Sequence, residues 1–311
     1  MKIITLTLNP AFDVHCRADG FAPYRESIVE ITSRDAGGKG VNISRALTAS
    51  GIDNTAVVLV GDENADELCR LLADEDIRTV PVRTHGRIRE NITLHHSDKP
   101  ETRISFGGFT STDAILSEIV RAVGEIDENT VLTFTGSIPH GITTAAVLDM
   151  LCSFRQRGAR LVIDSRSLTI ADLVALSPWL IKPNKDEAEA YTGRIITTAA
   201  DAAEIAISLR DSGIENVLIS LGHDGAVLAT EGECLRAIAP TVTVTSTVGA
   251  GDSAIAGFIA AATSACPSHA AARLALAVAY GTAACLRPGT LPPTPTAIAE
   301  IAASVRITRL K

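Results

Sequence analysis

Short runs of β-branched and leucine residues recur along the chain between longer stretches with helical spacing. The strand-like runs are Ile3 to Leu8, Thr55 to Val60, Thr130 to Thr135, Arg160 to Ile163, Trp179 to Ile181 and Asn216 to Ser220. The helical stretches between them are Gly40 to Ser50, Ala65 to Glu75, Thr112 to Ile126, Ala145 to Arg157, Lys185 to Thr192 and Ala199 to Gly213. Gly51, Gly158 and Gly213 stand where helix ends need a residue tolerant of left-handed backbone. Strands that alternate with helices predict a mostly parallel sheet covered on both faces, an α/β fold with three layers. Beyond Gly249 the pattern turns helical, and Ala254 to Ala265 and Ala270 to Ala284 carry so little charge that both helices are expected to be buried.

Two segments, 11–32 and 86–109, break this alternation with period-two patterning and no helical repeat. They are expected to pair into a small β-sheet lid, discontinuous in sequence, on a core made of residues 1–10, 33–85 and 110–311.

Composition narrows the function. Lys and Arg number 28 against 36 Asp and Glu, and a net charge of -8 argues against a nucleic-acid or anionic-membrane binder, both of which need a positive surface. Six cysteines stand without CxxC spacing or a zinc-type histidine pattern, so reduced thiols in a cytoplasmic protein are expected. The apolar run at the amino terminus is broken at Asn9-Pro10, too early for a signal peptide. The stretch from Ala254 to Ala265 falls short of the roughly 20 residues that span a bilayer.

The most informative motif is Ser246-Thr247-Val248-Gly249-Ala250-Gly251-Asp252-Ser253, immediately before a long helix. Gly249, Ala250 and Gly251 leave the backbone free to present N–H groups to an anion, and the helix adds its positive end. Asp252 is either a base beside that anion or a plain helix cap. Gly37-Gly38-Lys39-Gly40 places a flexible loop and one cation before another helix, without the four-residue gap of a Walker A loop. Asn184 and Glu187 have the spacing of a capping box and would also share a helix face. Asp13 follows the first strand, at the edge where open α/β sheets collect ligands. No GxGxxG follows that strand, which argues against a dinucleotide oxidoreductase.

Taken in order, Thr7-Leu8-Asn9-Pro10-Ala11-Phe12-Asp13, Gly37 to Asn42, Gly136-Ser137-Ile138-Pro139, Lys182-Pro183-Asn184 with Glu187, Ser220 to Ala226 and the Gly-Ala-Gly-Asp loop resemble the PfkB-type, ribokinase-like carbohydrate kinases. The resemblance covers nearly the whole chain. It implies a ribokinase-like three-layer core, ATP as phosphoryl donor, and Mg²⁺ organised through water by Asn184 and Glu187. It implies Asp252 as catalytic base with Gly249, Ala250 and Gly251 as the anion hole. Asp13, Gly38, Lys39 and Asn42 would line the sugar site, while Lys182, Asn184, Ser220, Gly222 and Gly225 would meet the nucleotide. A monovalent cation near the loop is also open, with Ser246 where cation-dependent members often carry Asp.

Arg25, Arg87, Arg89 and Arg103 cluster in the expected lid of an otherwise acidic chain. The guanidinium fork matches phosphate oxygens, so a sugar that already bears a phosphate is the expected partner, with Arg89 and Arg103 as its ligands. The alternative is a set of solvated charges that guard a strand edge. The chain departs from the hexose-phosphate branch of the family at Thr93, where Lys is usual, at Ile104 to Phe109, at His140, and at Asp164-Ser165-Arg166-Ser167, which lacks a Gly. An apolar lid face would suit a homodimer. Two other readings stay open: a kinase of the same fold for a neutral sugar or nucleoside, and a ligand-binding protein that has lost catalysis.

Overall fold

Strand β1 (Lys2–Thr7) is buried after its first residue because it is an interior strand of a ten-stranded sheet, paired on both sides. In chain order follow β2 (Ala11–Ala18), β3 (Glu30–Gly37), α1 (Lys39–Ala49), β4 (Thr55–Gly61), α2 (Ala65–Asp74), β5 (Thr79–Thr84), β6 (Arg89–His96) and β7 (Thr102–Ser105). Next come α3 (Leu116–Val123), β8 (Thr130–Thr135), α4 (Thr144–Gln156), β9 (Arg160–Asp164), α5 (Ile170–Leu176), β10 (Leu180–Ile181), α6 (Lys185–Thr192), α7 (Ala199–Asp211) and β11 (Val217–Ser220). The chain closes with β12 (Ala226–Thr230), β13 (Glu233–Ile238), α8 (Ala250–Thr263), α9 (Ala270–Ala284), α10 (Pro295–Ser304) and β14 (Arg306–Arg309). This computed structural model describes residues 1–18, 21, 24–96, 101–263 and 269–311. The end of the helix expected to reach Ala265, Cys266, and lid positions 19–20, 22–23 and 97–100 lie outside them.

The large sheet runs β14-β13-β12-β11-β10-β9-β8-β1-β4-β5. From β11 to β5 every pairing is parallel, and the three from β11 to β14 are antiparallel. Successive residues in the parallel strands point to opposite faces, and both faces are apolar. Thus Ile4, Leu132 and Ile163 pack into a core with α2, α3 and α4, while Ile3, Val131 and Val162 pack on the other side against α1, α8 and α9. The expectation of a three-layer α/β core with a mostly parallel sheet holds.

Some elements were not evident in the pattern. The edge strand β5 carries Pro81, which only an edge tolerates. Strands β12 and β13 form a hairpin turned at Glu231-Gly232, with Gly232 at φ 80. The helix expected over Thr112 to Ile126 is a 3-10 turn, Asp113–Ile115, followed by α3, which stops where Gly124 takes φ 73.

A separate four-stranded sheet has the order β3-β2-β6-β7. Its β2 and β6 run parallel with Asp13 opposite Asn91, and β3 carries the sheet up to Gly37, directly at the glycine loop before α1. Ile31, Ile104 and Phe106 leave much of their apolar surface exposed there. Among the described residues no helix is long and apolar enough to cross a membrane.

The parallel strands share one direction, so their carboxyl ends gather at one edge of the sheet. Asn9-Pro10 follows β1, Gly136 follows β8, Asp164 ends β9, Lys182-Pro183-Asn184 follows β10 and Ser220 ends β11. Helices α1 and α8 point their first turns at the same edge.

Candidate active site

Helix α8 begins at Ala250, so Asp252 sits inside its first turn and not at the capping position before it. Gly249 turns the chain into the helix at φ 75, a conformation that favours glycine. The amides of Gly251 and Asp252 therefore fall where a helix offers no acceptor of its own. The Asp252 carboxylate is buried, and its Oδ2 accepts a 2.8 Å hydrogen bond from Nδ2 of Asn42 on α1. Burial, and then the nearby charge of Asp164, push its pKa up to about 6. Such a carboxyl can take a proton near neutral pH and give it back.

Lys39 and Asn42 lie one turn apart at the start of α1. Lys39 Nζ donates to Asp164 Oδ1 at 3.0 Å, and Lys182 Nζ lies 3.8 Å from Asp164 Oδ2. Burial works to raise the Asp164 pKa, but the ammoniums of Lys182 and Lys39 and the Lys39 hydrogen bond hold it below its ordinary value. The two buried aspartates thus differ: Asp164 stays ionised and anchors two cations, while Asp252 is the one that titrates. Lys182 in turn lies against Gly251, where a Cβ would come 2.9 Å from Nζ.

On the small sheet, Asp13 Oδ1 accepts a 2.9 Å hydrogen bond from Asn91 Nδ2. Burial raises its pKa, with Asn91, Arg45, His15 and Arg89 acting the other way. Gly37 is required beside it, because a Cβ there would overlap the carboxylate at 2.2 Å. Gly38, at φ 130, lets the chain pass Thr7 and Pro10 into α1. Arg89 is half-buried near Asp13; burial lowers its pKa, and its Nε has no hydrogen-bond partner among the described residues. The arginines of the expected lid do not converge: Arg103 turns to Glu101 at 2.9 Å, Arg87 lies 3.8 Å from Glu90, and Arg25 is exposed.

A cleft of about 760 Å³ opens beside the anion loop, lined by Lys182, Asn184, Ser220, Gly222, Gly225, Thr247, Ala250 and Gly251 and closed by Val242, Val244 and Val278. Gly225 stands at φ 89 with its α-carbon so close to Ala237 that no Cβ would fit. Asn184 and Glu187 form a complete capping box on α6, at 2.8 and 3.0 Å, and Glu187 Oε1 also accepts from Arg166 Nε at 2.8 Å. Among the described residues no three His, Cys, Asp or Glu gather into a metal cage. Asn184 lines the cleft, while Glu187 keeps one oxygen on the Asn184 amide and the other on Arg166, so the pair suits an ion held mainly by phosphates and water, as Mg²⁺ is.

Two participants were missed from the sequence. Asp164 is the last residue of an apolar strand at the ligand edge, a signal that was present. Arg45 is a buried cation on the same helical face as Asn42, which only the packing of α1 reveals.

The sequence profile of the pfkB family carbohydrate kinases matches residues 9–297. The chain is 35% identical to the 1-phosphofructokinase of Escherichia coli K12 over 83% of each chain. It is 32% identical to that of Rhodobacter capsulatus over 100% of this chain and 98% of the relative. Among solved structures, phosphofructokinase-2 from Escherichia coli in complex with substrates and products superposes with a TM-score of 0.91 at 27% identity, covering 98% of this chain and 99% of that one. The same enzyme in complex with fructose-6-phosphate gives 0.89 at 26% identity, over 97% and 98%.

Proposed function

The chain belongs to the pfkB family of carbohydrate kinases, and from that premise we propose that it transfers the γ-phosphoryl group of ATP to fructose 1-phosphate, giving ADP and fructose 1,6-bisphosphate. The observation that carries the reading is Asp252, a buried carboxyl with a pKa near 6 beside the first-turn amides of α8.

The sugar binds between the small sheet and the glycine loop, its hydroxyls accepted by Asp13 and held by Gly38, Lys39 and Asn42. Its existing phosphate meets Arg89, whose half-buried guanidinium has donors to spare. The triphosphate lies along the cleft, with Lys182 and the amides of Ala250, Gly251 and Asp252 around the γ-phosphate, and Ser220, Gly222 and Gly225 along the wall. Asp252 removes the proton of the acceptor hydroxyl as that oxygen attacks phosphorus, and ADP departs. Phosphoryl transfer asks for positioning and charge stabilisation more than for covalent chemistry, and these residues supply both. Asn184 and Glu187 would hold the water shell of Mg²⁺, which neutralises phosphate charge when bound. A lid closed over both substrates would keep water from taking the phosphoryl group.

Arg103, tied to Glu101 at the outer strand, serves the substrate phosphate only if it leaves that partner when the sugar binds. The exposed Ile31, Ile104 and Phe106 suit pairing of two lids in a cytoplasmic homodimer, which sedimentation velocity tests directly.

The test is ADP release with Mg-ATP against fructose 1-phosphate, fructose 6-phosphate, tagatose 6-phosphate, fructose and ribose. Selective turnover of fructose 1-phosphate supports the proposal. Preference for a 6-phosphate moves the phosphate to the other end of the sugar and keeps Arg89, and turnover of neutral sugars alone removes Arg89 from the site.

A further inference from the structure

We propose that Arg45 is a positioning residue for phosphoryl transfer, because its guanidinium fixes which way round the Asn42 amide faces Asp252. The inference rests on the reading of Asp252 as base.

Asn42 and Arg45 are three residues apart on α1 and share a face. Arg45 Nη1 donates to Asn42 Oδ1 at 2.8 Å, and Asn42 Nδ2 donates to Asp252 Oδ2 at 2.8 Å. The order of these two bonds is chemically enforced. A guanidinium only donates and a carboxylate only accepts, so the amide must turn its oxygen to Arg45 and its nitrogen to Asp252. In the opposite orientation an amide oxygen would face the carboxylate, and an NH₂ group would face a cation.

The clamp on Arg45 comes from elsewhere in the fold. Its Nε bonds Glu75 Oε2, and its Nη2 donates to Glu75 Oε1 at 3.0 Å and to the Ala36 carbonyl at 2.5 Å. Glu75 closes α2 and Ala36 is near the end of β3, so three elements hold one guanidinium that is only 4% exposed. The chain Glu75, Arg45, Asn42, Asp252 therefore runs from outside the site to the base. It ties down Oδ2 of Asp252 and leaves Oδ1 for the proton of the acceptor hydroxyl. The charged groups that face Asp252 directly are Lys39 from α1, Asp164 from the end of β9 and Lys182 beyond β10; Arg45 acts through the amide.

The experiment is the pH dependence of kcat at saturating Mg-ATP and fructose 1-phosphate for wild type, Arg45→Lys, Asn42→Ala and the double variant, with Tm measured in parallel. Substrate phosphates titrate alike in all four, so the differences between them are read. Lysine keeps the charge but cannot hold Glu75, Ala36 and Asn42 together. Its acid limb should move up by about one pH unit, the loss of one hydrogen bond to a charged group. Asn42→Ala should move the limb equally, and the double variant no further. An acid limb unmoved in Arg45→Lys, or shifts that add in the double variant, would overturn the proposal while leaving Asp252 as base. Near-normal turnover of Asp252→Asn would instead remove the base itself. Should Arg45→Lys fail to fold, Glu75→Gln loosens the same clamp: a smaller upward shift supports the relay and an unmoved limb overturns it.

Discussion

Asp252 meets two opposed demands, since burial that readies it to hold a proton also makes its charge expensive. A carboxyl whose folded pKa is raised stabilises the fold below its ordinary value of 3.8, and that contribution is lost as pH rises through about 6. Asp252→Asn should therefore raise stability at pH 7.5 by about 2 kcal/mol, with the gain gone below pH 4, as thermal unfolding at both pH values will show. Equal stability of the two proteins at pH 7.5 would mean that Asp252 carries no burial strain. The second residue-scale expectation concerns Arg89. If it holds the phosphate of the sugar, Arg89→Met should raise KM for fructose 1-phosphate about a hundredfold, the loss of one or two charge-assisted hydrogen bonds, with KM for ATP unchanged. A rise confined to ATP would place Arg89 elsewhere. Much of this residue-level chemistry was legible: Asp252 and the turn that precedes it follow from Gly249-Ala250-Gly251 before a helix. Asp164 carried a signal that went unread, as the last residue of an apolar strand at the ligand edge, and Arg45 was not legible, because its role depends on what packs beside it.

Helix α8 carries Asp252 in its first turn, directly after the turn at Gly249, so its seating matters to the proposed site. Gly257, midway along it, lies so close to α9 that a Cβ would come 2.4 Å from the Leu276 carbonyl oxygen. Gly257→Ala should lower stability by about 1–3 kcal/mol, readable from the urea midpoint, and should reduce kcat by tilting the loop. A variant as stable and as active as wild type would show that α8 and α9 can part without cost. Element boundaries were legible wherever apolar period and a following glycine agreed, as in α1, α4 and α7 with Gly51, Gly158 and Gly213. They failed where a short element owes its form to neighbours: β14 is an edge strand that borrows its pairing from β13, and α5 is a seven-residue helix set by the Thr169 and Asp172 capping box. The same grammar explains why Asn184 and Glu187 could not be assigned by pattern alone, since the capping box on α6 is real and any metal role is added to it.

The whole molecule assembles its site from segments distant in sequence, at the carboxyl edge of one sheet. Asp13, Lys39, Asn42, Asp164, Lys182 and Asp252 come from five chain passages that the parallel sheet and the small sheet bring together. That architecture was legible from alternation. The approach of the small sheet to the glycine loop was less so, because β3 runs on to Gly37 and fuses the two parts where the expected lid boundary stood at residue 32. At this edge an acidic chain keeps Lys39 and Lys182 on the buried Asp164, so that two ammoniums are held in place where phosphates would lie. The central claim is that Asp252 deprotonates the acceptor of a phosphoryl group. Its most direct test is a single turnover, with enzyme in excess over ATP labelled in the γ-phosphate, fructose 1-phosphate as acceptor, and wild type compared with Asp252→Asn at pH 7.5. The account predicts labelled fructose 1,6-bisphosphate from wild type, and a transfer rate at least about a hundredfold lower in the variant with ATP still bound. Transfer by Asp252→Asn at a rate near that of wild type would contradict it.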